Sequence, residues 1–212
     1  MHGECFTAGP PNGLPGQMQE TTDYLEALHP QPHPLLLELE QHARKDGVTL
    51  VSRDTARLLA TIVAAMQATR IVEIGTAYGY STLWMALAQP RIGRIWTIDP
   101  DIRRTDVALS YFKRAEEDDF IEIFNTPALE LLENFPHRNL DVVFIDANEA
   151  DYGAYLELAV PMLKLSGVVV VDGCLEDTAA MRAFNEAFLC HPSLLATILP
   201  IGNGTGIGAR VR

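Results

Sequence analysis

Four carboxylates stand where apolar runs of this sequence stop: Glu73 within RIVEIG, Asp99 after RIWTI, Asp146 after DVVFI and Asp172 after GVVVV. An acid at the mouth of a buried run can hold sugar hydroxyls, face a cationic ligand or, in a pair, take a hard divalent cation through oxygen. Asp99 is placed to hold the ribose hydroxyls of a nucleoside, although Asp99-Pro100-Asp101 also reads as a plain turn with a helix cap. Asp146 and Asp172 are expected to end neighbouring strands, where without a cation they would repel and one would sit partly protonated. Either case marks a site.

Directly after Glu73 runs Gly75-Thr76-Ala77-Tyr78-Gly79, with a helix opening near Ser81. A strand that breaks at glycine and feeds a helix N-terminus brings backbone N–H groups and positive dipole character close to a ligand. The pattern is E-x-G-x-x-x-G, which departs from the G-x-G-x-x-G of a dinucleotide site. A carboxylate at that strand end suits a sulfonium-bearing nucleoside better than a pyrophosphate. Glycines after the first strand of any α/β protein are the bland alternative.

These residues need a scaffold. The runs RIVEI, RIWTID, FIEIF, DVVFID and GVVVVD are strand-like, and helical stretches lie between them at 101–117, 127–134 and 150–163, the second capped by Asn125 or Thr126. Such alternation specifies a parallel sheet with helices on both faces. A helix over 176–189 follows, then LLATILP and GIGARVR, whose short glycine-rich connection makes them antiparallel. An open parallel sheet binds its ligand beyond the carboxyl ends of its strands, where the four acids stand. Upstream, TTDYLEAL, PLLLELEQHARK up to Gly47, and a helix capped by Ser52 form an N-terminal helical part over 20–68, while the Gly- and Pro-rich 1–19 reads as a flexible arm.

At 212 residues the chain is expected to fold as one domain from residue 20 onward. The formal net charge of -12 works against contact with phosphate backbones, which makes nucleic acid an unfavoured partner. Cys5, Cys174 and Cys190 are odd in number and far apart, which indicates neither a disulfide framework nor a zinc site, and the default location is a reducing cytoplasm. No apolar run is long enough to span a bilayer.

The stretches VEIGTAYGYST, FIDANEADYGAYLELAVPML and GVVVVDGC, with AFNEAF and LPIGNG in the tail, resemble the catechol and caffeoyl-CoA O-methyltransferases, small class I S-adenosylmethionine-dependent enzymes. The resemblance covers roughly residues 24–212. It implies a three-layer Rossmann-like fold, a mostly parallel seven-stranded sheet with an antiparallel last strand, a homodimer, and methyl transfer to a phenolic or catechol-like oxygen of a small molecule. By position, Val51, Glu73, Gly75, Thr76, Gly79, Ser81, Asp99, Ala128 and Asp146 would serve the cofactor, and Asp146 and Asp172 would hold Mg2+ or a similar cation. Tyr152 matches the family pattern after the fourth strand.

Departures from that pattern concentrate at the acceptor. Where the family has D-A-D-K, this chain has Asp146-Ala147-Asn148-Glu149, so Glu149 stands in place of a basic residue and is the candidate base, with Asp146 as the second candidate catalytic residue. The third metal-ligand position is Gly173, which has no side-chain oxygen; the ribose acid aligns with Thr97, and G-D-A near the adenine is Thr126-Pro127-Ala128. Three readings follow. The chain is an O-methyltransferase with an altered metal and base site, a cofactor-binding but catalytically silent partner protein, or an RNA hydroxyl methyltransferase.

Overall fold

The computed structural model describes residues 24–212. The arm expected over 1–19 lies outside them. A short helix covers 24–28, and the main compact unit runs from Leu35 to Arg212. Helices α1 (Pro34–Asp46) and α2 (Arg53–Met66) precede strand β1 (Arg70–Ile74), α3 (Tyr80–Ala88), β2 (Arg94–Ile98), α4 (Ile102–Arg114), β3 (Ile121–Phe124) and α5 (Ala128–Glu133). Then come β4 (Leu140–Ile145), α6 (Tyr152–Ala159), β5 (Leu163–Val171), α7 (Ala179–Leu189), β6 (Leu194–Leu199) and β7 (Thr205–Arg210).

The seven strands form one sheet in the order β3-β2-β1-β4-β5-β7-β6, parallel except for β7, which pairs antiparallel with both β5 and β6. Strand order reverses between β1 and β4, the switch point at which such sheets open a crevice. Alternate residues of each central strand feed opposite faces. Ile71, Ile95, Val142, Phe144 and Val170 meet α1 to α4, while Val72, Ile98, Val143, Ile145 and Val171 meet α5 to α7. Burial on both faces is why these strands read as unbroken apolar runs rather than as alternating ones. This is the three-layer Rossmann-like architecture that the alternation and the resemblance imply.

Several element ends are set by local chemistry. Ser52 caps α2 by accepting from the Thr55 N–H at 3.0 Å, and Asp101 caps α4 from Arg103. The expected side-chain cap of α5 is absent: Pro127 itself occupies the cap, and the Thr126 hydroxyl donates to Glu130 at 3.2 Å instead of accepting from the backbone. The helix expected over 150–163 is split. Short 3-10 turns at Glu149–Asp151 and Val160–Met162 flank α6, and at the second Pro161 has no N–H with which to continue the α-helix. The last helix starts at Ala179 rather than 176, where Thr178 accepts from Met181 N–H. Cys174 is free and buried, whereas Cys190 is disulfide-bonded, so the expectation of reduced cysteines holds at the first and fails at the second. Among the described residues no helix is long and apolar enough to cross a membrane.

Candidate active site at the carboxyl edge of the sheet

The parallel ladder continues one residue past each strand end and sets the acids in a row. Asp99 N–H donates to Phe124 O (3.1 Å), Gly75 N–H to Ile98 O (2.9 Å), Asp146 N–H to Ile74 O (2.9 Å) and Asp172 N–H to Ile145 O (3.0 Å). Each donor is the first residue after its strand, so side chains and loops from β2, β1, β4 and β5 meet along one edge. A cavity of about 610 Å³ opens there, the size of a small-ligand site. Gly75, Asp99, Asp146 and Asp172 all line it, together with Val51, Ala128, Glu149 and Gly173.

The remaining residues expected at the cofactor stand behind the wall. Glu73 is fully buried, and its carboxylate accepts from Ser81 Oγ (2.6 Å), Thr97 Oγ1 (2.6 Å) and Thr82 Oγ1. Thr97 also shares a 2.6 Å hydrogen bond with Thr76. Burial pushes the Glu73 carboxyl up to about 7 against the opposing pull of the three hydroxyls. Glu73 therefore ties Ser81 directly and Thr76 by way of Thr97, which fixes the 75–79 loop to β2 and α3. Gly79 is the N-cap of α3, packed near the Phe112 ring. Thr97 belongs to this buried knot, whereas Asp99, two residues on, reaches the cavity.

Gly75 has a positive φ of 105°, and a Cβ there would lie 1.8 Å from the carbonyl oxygen of Asp146. The β1 and β4 ends can approach this closely only because position 75 lacks a side chain. Asp99 is held by two backbone donors, Ala77 N–H at 2.8 Å to one oxygen and Asp101 N–H at 2.9 Å to the other. It thus keeps a fixed direction at the cavity edge while bracing the glycine loop. Asp101 caps α4, so the turn-and-cap reading of 99–101 and the cavity reading of Asp99 hold together.

On the β4–β5 side the acids are held differently. Asp172, 6% exposed, accepts from Thr55 Oγ1 at 3.2 Å, and Thr55 in turn meets Thr205 Oγ1 at 3.2 Å. Burial raises the Asp172 pKa and the Thr55 and Thr205 hydroxyls oppose the rise. Asp146 is half-buried and accepts no hydrogen bond among the described residues. Burial, then the charge of Asp172, then that of Glu73 push its pKa up to about 7. Glu149 lines the rim from the turn after β4, with its Oε2 receiving Thr178 Oγ1 at 3.3 Å.

A three-ligand metal set does not assemble here. At Asp146 and Asp172 no three His, Cys, Asp or Glu ligand atoms of described residues lie within 4.8 Å of one another. Gly173, at φ 82°, adds only backbone. A divalent cation at this edge would rest on two carboxylates and water, which does not match the set the resemblance implies.

The cavity also recruits residues that strand-end reasoning missed. Ala77, Arg104, Tyr155, Asp151 and Asn203 line it. Tyr155 follows Tyr152 by one helical turn, a spacing visible in the sequence once α6 is placed. Asn203 arrives through the β6–β7 connection, where Leu175 N–H donates to Asn203 O at 2.8 Å and Cys174 N–H to Gly204 O at 2.9 Å. That contact had no local signal.

Comparison with known proteins follows this geometry. Residues 27–210 match the family model described as O-methyltransferase. The catechol O-methyltransferase of Mycobacterium tuberculosis is 31% identical over 160 residues, covering 70% of this chain and 73% of that protein. The solved O-methyltransferase TomG from Streptomyces achromogenes, in complex with SAM, superposes with a TM-score of 0.82 at 26% identity over 91% of this chain and 96% of its own. The O-methyltransferase from Bacillus cereus, in complex with SAH, gives 0.81 at 25% identity over 90% and 97%. With a glycine loop, a switch-point cavity and a family match across 27–210, the chain belongs to the O-methyltransferase family.

Proposed function

We propose that this chain transfers a methyl group from S-adenosylmethionine to the hydroxyl of a small phenolic or catechol-like acceptor. The observation that carries this reading is the cavity at the β1–β4 switch point, lined by Gly75, Asp99, Asp146 and Asp172 in one row. When bound, S-adenosylmethionine supplies a methyl group on a positively charged sulfur. Asp99 would accept the ribose hydroxyls, its direction already set by Ala77 and Asp101. Gly75 lets the backbone come close, and Val51 and Ala128 cover apolar parts of the ligand. Glu73, Thr76, Gly79 and Ser81 act from behind, holding the loop rather than the ligand.

Asp146 is the residue we assign to the acceptor proton. A carboxyl titrating near 7 is part ionised at neutral pH, and such a group is well matched to take a hydroxyl proton as the O–CH3 bond forms and the S–CH3 bond breaks. Tyr152 and Tyr155 give that end aromatic walls suited to a ring. No step is routed through a metal, because the donor set at Asp146 and Asp172 does not fit the three-ligand arrangement. A homodimer accords with the resemblance, and light scattering would show a mass near twice 23.4 kDa.

Calorimetric titration with S-adenosylmethionine, with magnesium and with chelator, tests the reading. Binding in the micromolar range in both buffers, with methylated product from a panel of phenols, is the expected result. Absence of binding in both would overturn it. Binding without turnover on any acceptor would leave the silent partner protein as the better description, a reading that the changes at Glu149 and Gly173 favour.

A further inference from the structure

Resting on that reading, we infer that Glu149 makes the acceptor end selective for a positively charged molecule, a hydroxylated amine rather than a hydroxylated acid. Glu149 is fixed from two sides. It begins the turn that follows β4, three residues after Asp146, and its Oε2 receives the hydroxyl of Thr178, the residue that caps α7. Its carboxylate is thereby kept on the cavity rim.

The wall behind it has no cation of its own. Asp172 is nine-tenths buried, lines the cavity, and has no cationic partner among the described residues; its donors are the neutral hydroxyls of Thr55 and Thr205 and the Gly173 N–H. Asp146 beside it accepts no hydrogen bond among the described residues. Glu176, on the loop after β5, is a further lining acid. The basic lining residue, Arg104, is on α4 beyond β2, on the other side of the switch point, and is engaged with Asp101 at 3.7 Å. S-adenosylmethionine carries two positive groups and one carboxylate, a net charge of about +1, which leaves several carboxylates at this end without a counter-charge. A carboxylate taken out of water needs a cation or a set of donors. An acceptor ammonium supplies both, and an acceptor carboxylate would meet only repulsion.

Three probes that differ only in side-chain charge test this: tyramine, 4-ethylphenol and 4-hydroxyphenylacetate. Each is titrated calorimetrically into the full chain saturated with S-adenosylhomocysteine, in buffer with chelator. Tyramine should bind at least about tenfold more tightly than 4-ethylphenol, and 4-hydroxyphenylacetate more weakly than either. Glu149→Gln should narrow the tyramine preference and Glu149→Lys should invert the order of the two charged probes, with S-adenosylhomocysteine affinity retained as the control for folding. Equal binding of all three probes would overturn the inference. So would an unchanged order in Glu149→Lys, or no probe binding to protein that binds S-adenosylhomocysteine. If S-adenosylhomocysteine itself fails to bind, the methyltransferase reading falls first and this one with it.

Discussion

Glu73 lies in β1 and Asp146 directly after the neighbouring parallel strand β4, both raised to about 7 by burial, and they differ in what surrounds the charge. Glu73 has three hydroxyl donors and no access to the cavity. Asp146 has the cavity and no donor among the described residues. The first is a finished network that holds the glycine loop. The second is an acceptor awaiting a partner. The same upward shift therefore accompanies opposite roles, and the hydrogen bonds tell them apart.

The largest expected effect falls on the finished network. Glu73→Ala strands three buried hydroxyls and leaves a void, at a cost of about 3–5 kcal/mol in urea or thermal unfolding. S-adenosylmethionine binding should weaken with it as the 75–79 loop loosens. A loss under about 1 kcal/mol would mean that the knot contributes little and the contrast is mistaken.

Asp146→Asn comes next and has the opposite sign. A carboxyl raised from 3.8 to about 7 contributes stability that is full below its unfolded value and is lost as pH rises through about 7. The asparagine variant should match the parent near pH 4 and exceed it by about 1–3 kcal/mol at pH 8, while methyl transfer falls by about 10²–10⁴-fold. Thermal melts across pH 4–8 beside turnover assays check both. A stability gap that does not grow with pH would place the uncompensated charge elsewhere.

Gly173→Asn is the mildest change. The φ of 82° is one that asparagine tolerates, and a Cβ there would have Glu176 Cγ as its nearest neighbour, at 3.8 Å. The left-handed backbone still strains any side chain, so stability should fall by about 0.5–1.5 kcal/mol. The added amide oxygen beside Asp146 and Asp172 should strengthen magnesium binding, measured by titration. Destabilisation beyond about 2 kcal/mol would show that this edge has no room for a third ligand.

Much of the fold was legible because the central strands are buried on both faces and end in glycine or acid. Asp99, Asp146 and Asp172 could be placed at the cavity by counting along those runs, and Ser52 could be named as a cap. Glu73 was misdirected, from the ligand to the core, because a strand's alternation says which face a side chain takes but not which hydroxyls from α3 and β2 gather there. Thr97 carried the same ambiguity. The α5 cap failed on a finer scale: Thr126 has the right side chain, but Glu130 competes for its hydroxyl. Asn203 and Arg104 enter the cavity by tertiary placement alone, which no local spacing encodes.

The Thr55–Thr205 hydrogen bond joins positions 150 residues apart, and Thr205 opens the strand that slots between β5 and β6. A chain emerging from the ribosome can pair β1, β2 and β4 early, but the support under Asp172 waits for β7 to be inserted beside β5. Until then, the β5 edge lies open to other strands, and Asp172 lacks the hydroxyl relay that Thr205 completes through Thr55. Competence to bind at the acceptor end is thus a property acquired last in the life of each newly made molecule.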